Sequence, residues 1–385
     1  MGHRIVRIAT AILVAAEYAA LWAADSPKHV NKPTFALSQA TVDLLPEVQA
    51  AVVLSLQESF GDSSTPRIPT GLPLEPLVSS GYAIYAMHCA RCHGESGDGT
   101  GIDGKKLNST PRDFRLGIFK WKSTLPRHKA LRHDLRETIR IGIPDTGMPA
   151  FAGLPTTELN SVVEYVRWLG MTGEFESRLI LDFGDFSSES VIARLNRGDK
   201  RENIVKEAVK DIANGMTDSV NESLQFISER WKVSELESSI VRTKHSTPKS
   251  EDSIARGKEL YLSQRTKCYA CHGEFGKGDG PATRDQWKRP GTTQYFSKPG
   301  LHDIWGHPNQ PWDLTEGKYR GGDAPDELFR RVAAGVAGTT MPAYAGTAIT
   351  DAEIWDVVNF VESLRPEKLR ALSSNRRPPP PGEKE

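Results

Sequence analysis

The chain has 385 residues, and its 49 Lys and Arg balance its 49 Asp and Glu to a formal net charge of zero. With no basic block, that balance excludes the electrostatic footprint of a nucleic-acid-binding protein. All four cysteines fall in two short clusters, which excludes a disulfide framework spread along the chain.

In chain order, Arg4 and Arg7 precede a largely apolar run over residues 8–16, which Glu17 interrupts before apolar residues resume over 18–24. The run has the length of a signal-peptide core, and Leu21-Trp22-Ala23 offers a small residue for cleavage. Residues 5–24 also approach the ~20 needed to span a bilayer, so retention as an N-terminal anchor is the alternative. A carboxylate at Glu17 weighs against a span. Either reading of residues 1–24 places the body outside the cytoplasm, with membrane association through the N-terminus if the anchor stays.

Residues 25–77 comprise a helix and a linker. Leu45, Val48, Val52, Leu56 and Phe60 form a stripe at helical spacing that Gly61 terminates. The Pro-rich stretch 63–76 reads as extended linker.

The segment 78–172 carries Cys89-Ala-Arg-Cys92-His93, and the segment 250–365 carries Cys268-Tyr-Ala-Cys271-His272. C-x-x-C-H supplies two thiols for thioether bonds to a haem and an adjacent imidazole as an iron ligand. A zinc site needs about four ligands in one cluster, and the motifs are far apart in the sequence. A redox C-x-x-C does not require a His after it twice. The spacing therefore predicts two covalently bound haem c groups held by Cys89, Cys92, Cys268 and Cys271, with His93 and His272 on the irons.

Each motif is followed by a methionine in a matching context, Gly147-Met148-Pro149-Ala150-Phe151-Ala152-Gly153 and Thr340-Met341-Pro342-Ala343-Tyr344-Ala345-Gly346. A lone methionine is usually core filler. The repetition of Met-Pro-Ala-aromatic-Ala-Gly points instead to Met148 and Met341 as second iron ligands, a pairing that raises the reduction potential and suits electron transfer.

The repeat extends further. Leu135, Ile139, Gly142 and Thr146 match Leu328, Val332, Gly335 and Thr339, and the closing stripe from Glu158 to Leu169 matches that from Glu353 to Leu364. Thr157 and Thr350 are the expected N-caps, with Gly170 closing the first helix and Pro366 limiting the second. Gly81-x-x-x-Tyr85 and Gly257-x-x-x-Tyr261 precede the two motifs. An internal duplication argues for two domains. Between them, in residues 173–249, Ile204, Ala208 and Ile212 form one stripe and Val220, Leu224, Ile227 and Trp231 another, separated by Gly215; the expectation is a helical hairpin. Residues 366–385 read as a disordered Pro-rich tail.

This order of elements, helix, C-x-x-C-H, glycine-rich loop, helix, Met loop and final helix, resembles the class I cytochrome c fold. The resemblance covers 78–172 and 250–365 and implies a mainly α protein: two class I cytochrome c-like domains joined by a helical insertion. It further implies that a Pro carbonyl accepts the proximal His N–H while a nearby apolar residue covers the haem face. Pro111 with Phe114, and Pro311 with Leu314, are the matching candidates, and Pro281 competes with Pro311. Such a bond would fix the imidazole tautomer.

The function implied is a dihaem cytochrome passing single electrons between respiratory partners at the periplasmic face of the membrane. A quinol-oxidising complex, a periplasmic dehydrogenase or a terminal oxidase would be such partners. The first copy carries 13 basic and 9 acidic residues and the second 14 and 16, an asymmetry suited to steering different partners. The alternative is an enzyme or its subunit, either the haem subunit of a periplasmic dehydrogenase or a dihaem peroxidase. A peroxidase needs a distal ligand that can leave, and the duplicated Met-Pro-Ala run argues against one.

Overall fold

The computed structural model describes residues 37–243, 247–289, 292–317, 319–366 and 380–381. The leader or anchor expected over residues 1–24 and nearly all of the Pro-rich tail lie outside these. The protein is mainly α, with no strand among the described residues. The chain divides into two compact units. One holds the residues up to Asp103 with Arg112–Gly117 and Glu164–Arg230, and the other holds Gly104–Pro111, Ile118–Val163 and the residues from Trp231 onward.

The first unit begins with α1 (Gln39–Val42) and α2 (Pro46–Phe60). Proline at the first position of α2 suits a helix start, where its missing N–H has no intrahelical partner. Gly61, at φ 73°, ends the helix. The expected stripe is the buried face: Leu45, Val48, Val52, Leu56 and Phe60 are all in the core. Phe60 meets Trp168 and Phe175 at ring-centroid distances of 6.3 and 5.3 Å. Both belong to α6 (Thr156–Asp182), which follows α3 (Val78–His88), α4 (Ala90–His93) and α5 (Arg132–Ile141).

Helix α6 corrects the expectation that Gly170 closes the first copy. The apolar stripe continues through Met171, Phe175 and Leu179, all buried, and that packing carries the helix past both Gly170 and Gly173. Gly173 has a packing reason: a Cβ there would lie 2.2 Å from the Arg115 carbonyl oxygen. Thr157 lies inside the helix rather than capping it.

Residues 63–76 are not a free linker. The Tyr165 hydroxyl donates to the Ser63 carbonyl, the Trp168 indole to Arg67, an Arg167 guanidinium N–H to Pro73, and the Ser228 hydroxyl to Gly71. Beyond the few turn bonds this stretch makes with neighbouring backbone, its carbonyls are held by side chains from α6 and α8.

The expected hairpin over 204–231 is instead one helix. After α7 (Ser188–Asn196), α8 runs without a break over Arg201–Ser234. Gly215 does not turn the chain, and a Cβ there would meet nothing within 4 Å. Ile204, Ala208, Ile212, Met216, Ile227 and Trp231 are all buried, so the two stripes belong to one long helix.

In the second unit, α9 (Glu251–Leu262) packs across α12 (Asp351–Ser363) at Gly257, where a Cβ would sit 1.9 Å from the Asp356 carbonyl oxygen. Ser253 donates to Asp356 at 2.6 Å beside this crossing, and Arg256 pairs with the same carboxylate at 2.8 Å. Thr350 caps α12 as expected, in a capping box with Glu353. Between them lie α10 (Cys268–His272) and α11 (Pro325–Ala334); Phe329 of α11 stacks on Trp355 at 4.8 Å. Residues 123–125 run beside 239–241, with Leu125 N–H donating to the Ser239 carbonyl and Val241 N–H to that of Ser123.

Candidate functional site

Each C-x-x-C-H forms a single helical turn, α4 and α10, entered from a longer helix. Tyr85 of α3 donates its hydroxyl to the Gly94 carbonyl at 2.7 Å, and Tyr261 of α9 donates to Gly273 at the same distance. These are the tyrosines of the two Gly-x-x-x-Tyr patterns; each locks its long helix to the residue just after the histidine. Both phenols are raised well above the ordinary range, chiefly by burial.

The loops after the histidines match bond for bond. Gly99 N–H donates to the His93 carbonyl and Gly278 N–H to the His272 carbonyl, each at 2.8 Å. Phe114 N–H donates to Gly97 and Leu314 N–H to Gly276, each at 2.7 Å. Gly97 and Gly276 both have φ near 75°, and a Cβ would come within 3 Å of Leu169 and Leu364 respectively. Glycine is required there twice over.

These bonds fix what faces each imidazole. Phe114 stacks on His93 with ring centroids 4.5 Å apart and 19° between planes. His93 Nδ1 lies 3.0 Å from the carbonyl of Arg112. The expected acceptor, Pro111, is thus corrected by one residue, because the Phe114–Gly97 bond sets the register that presents Arg112. In the second copy Trp312 is the counterpart. Its carbonyl acts on the His272 ring, yet no acceptor reaches the buried His272 Nδ1 in hydrogen-bond geometry. The neighbouring Pro311 carbonyl lies over Gly278, 2.4 Å from where a Cβ would sit. Pro281 is not the acceptor: it opens a tight turn in which its own carbonyl takes the Arg284 N–H.

Burial holds His272 down to about 4, and His93 is lowered for the same reason, so both rings are neutral at ordinary pH. A neutral imidazole is the form that ligates a metal. Burial pushes Cys89 up to about 12 and raises Cys268 and Cys271 as well. An exchange-active C-x-x-C needs the opposite shift, so the thiol-redox alternative finds no support in these surroundings.

The methionine loops are equally alike. Thr146 donates to the Ile143 carbonyl at 2.7 Å and accepts Met148 N–H at 3.2 Å; Thr339 donates to Val336 at 2.8 Å and accepts Met341 N–H at 3.1 Å. Ile143 N–H and Val336 N–H return to the Met148 and Met341 carbonyls, each at 3.2 Å. Gly142 and Gly335, both at positive φ, let the chain fold over the Met-Pro-Ala backbone, where a Cβ would come within 3 Å. In the second copy the loop reaches the attachment motif directly: the Tyr344 hydroxyl donates to the Thr266 carbonyl and hydrogen-bonds with the Cys268 thiol. Phe151 occupies the same place in the first repeat and has no hydroxyl.

Sequence reasoning named the cysteines, histidines and methionines but missed Arg112, Thr146 and Thr339 as supports. The threonines were visible as matched positions; Arg112 acts through its backbone and leaves no side-chain signal.

Two family models match the chain, each around one motif. Residues 76–166 match cytochrome c oxidase, cbb3-type, subunit III, and residues 254–365 match cytochrome c. The chain is a dihaem c-type cytochrome. The cytochrome carries two haem c, one per C-x-x-C pair, which implies electron transfer. Among solved structures it resembles a chain of the Kuenenia stuttgartiensis reducing HAO-like protein complex, with a TM-score of 0.51 and 24% identity over 76% of this chain and 97% of that one. At that identity the likeness shows the fold alone. No curated protein matches the cytochrome. No helix among its described residues is long and apolar enough to cross a membrane.

Proposed function

We propose that this cytochrome is a one-electron carrier in which His93 and Met148 would hold one haem iron and His272 and Met341 the other. Cys89, Cys92, Cys268 and Cys271 provide the thioether attachments. When bound, each haem supplies a one-electron couple; the protein supplies ligation, burial and orientation.

The observation that carries this reading is the bond-for-bond match of the two methionine loops. A loop whose methionine N–H is held by a threonine, and whose backbone is clasped beneath a positive-φ glycine, is built to hold that residue in place. An enzyme haem needs a position that opens, and two equally braced loops provide none. The Arg112 carbonyl holds the His93 tautomer, leaving the other ring nitrogen as the ligand. In the second copy the Trp312 carbonyl stands in the equivalent place and acts on the His272 ring.

The reading places the cytochrome at the periplasmic face, accepting electrons from a quinol-oxidising complex or periplasmic dehydrogenase and delivering them to a terminal oxidase or similar acceptor. Being part of a redox complex, as the Kuenenia chain is, would suit such a role. A reductive titration with carbon monoxide present tests the carrier reading. Two electrons per chain with no carbon monoxide adduct is the expected outcome. Stoichiometric carbon monoxide binding at one haem, with hydrogen peroxide turnover, would favour the peroxidase alternative.

A further inference from the structure

The two methionine loops are alike inside and differ in what leans on them from outside. Twice as many positions separate Leu314 from His272 as separate Phe114 from His93, although both pairs close on the same glycine-loop bond. The longer connection includes a tight turn over 303–307. Asp303 N–H donates to the His307 carbonyl and Gly306 N–H to the Asp303 carbonyl, each at 2.9 Å. The Asp303 carboxylate closes this turn from inside, accepting the Trp305 and His307 N–H groups at 3.2 and 3.0 Å.

That carboxylate is buried, and a counter-charge comes from the other repeat. Lys120 Nζ lies 3.2 Å from Asp303 Oδ2 and donates at 2.9 Å to the side-chain oxygen of Asn309. Removing one partner of a buried ion pair leaves the other desolvated and uncompensated, so the turn depends on a residue of the first copy.

The turn in turn bears on the Met341 loop. Ile304 N–H donates to the Gly338 carbonyl at 3.0 Å, and the Trp305 ring covers Gly338 so closely that a Cβ there would lie 2.5 Å from it. Gly338 is followed by Thr339, whose hydroxyl accepts the Met341 N–H at 3.1 Å. The matching position in the first loop is Asp145, three residues before Met148 and also at positive φ. Its side chain fills the space that the indole takes over Gly338, so a ring cannot cover the first loop in the same way.

We infer that Asp303 is a positioning residue for the second iron ligand: held by Lys120, it sets the turn that presses Ile304 and Trp305 onto Gly338 and so keeps Met341 in place. This role rests on the reading of Met341 as a ligand and deepens it, because the grip on one methionine then depends on a lysine of the other repeat. Lys120 matters to Met341 more than to Met148, its own neighbour in sequence.

The test is displacement of methionine by added imidazole in the ferric holoprotein, followed by near-infrared magnetic circular dichroism, together with amide hydrogen exchange over residues 336–341 and 143–148. Asp303→Asn and Lys120→Met each let imidazole displace one of the two methionines at about tenfold lower concentration, through the loss of one charge-assisted bond. Exchange over 336–341 quickens in the same two variants, while that over 143–148 keeps its wild-type rate. Lys120→Arg restores the wild-type behaviour, and the double variant is no worse than either single one.

Unchanged displacement and unchanged exchange in both Asp303→Asn and Lys120→Met would overturn the brace. Equal loosening of the two loops would overturn it as well, since that marks a general loss of stability. If Asp303→Asn does not fold, Lys120→Met and Lys120→Arg still decide. If Met341→Ala leaves the methionine signal whole, the ligand reading fails, and the exchange rates over 336–341 still decide whether the turn holds this loop.

Discussion

Thr146 and Thr339 show how far below the motifs the duplication reaches. Each hydroxyl spans its own loop, donating backwards to a carbonyl and accepting the methionine N–H. Replacing Thr339 by Val keeps the shape and removes both bonds. We expect a loss of about 1 kcal/mol on chemical denaturation and easier displacement of Met341 by added imidazole, followed in the haem spectrum. Retention of full stability and of the spectrum would show that the threonine braces nothing. Lys122 provides a residue-scale prediction in pH. Burial pushes its ammonium from an ordinary value of 10.5 down to about 8, with Asp134 acting in the opposite sense. Between those values the unfolded chain binds the additional proton, so this group makes stability rise with pH from about 8 to 10.5. Guanidinium titrations across that window should show the rise in wild type and lose it in Lys122→Met. The ligands themselves were legible because C-x-x-C-H and Met-Pro-Ala are side-chain patterns repeated twice. Arg112 was not, because a carbonyl acceptor can belong to any residue, and the choice between Pro111 and Arg112 depends on a backbone bond from Phe114 to Gly97.

Among helices, three glycines separate what the pattern revealed from what it concealed. Gly257 lies where α9 crosses α12 and Gly173 where α6 meets Arg115, both without room for a Cβ. Gly215 lies in α8 facing open space. Sequence alone gives all three the same letter, and the natural reading of Gly215 as a turn made a hairpin out of one 34-residue helix. Gly170 misled in the same way. The stripes on either side were read correctly; what was hidden is that tertiary packing carries a helix through an isolated glycine at a cost of only about 1 kcal/mol. The two kinds of site respond oppositely to alanine. Gly215→Ala should stabilise the protein by roughly 0.5–1 kcal/mol through lower backbone entropy in the unfolded chain. Gly257→Ala should cost ~1–3 kcal/mol by overpacking the crossing. Thermal unfolding of the two variants side by side checks both signs, and destabilisation by Gly215→Ala would restore the hairpin.

For the whole molecule, the duplicated architecture means that two similar pockets differ in identifiable ways. The first has Phe114 stacked on its proximal imidazole; the second has Leu314 in place of Phe114, and Tyr344 bonded to Cys268 where the first has Phe151. The domain count, the haem count and the helical class could all be read before any coordinates, because each rests on repeated local patterns. The strap at 63–76 could not, since its order comes from side chains contributed by α6 and α8, distant in sequence. The central claim is that both irons keep their methionines in the resting oxidised protein. Near-infrared magnetic circular dichroism of the ferric wild type, Met148→Ala and Met341→Ala tests it most directly. The expected result is a methionine-ligated low-spin signal from both haems, with about half of it lost in each variant. A high-spin component in the wild type, or a variant that leaves the signal whole, would contradict it.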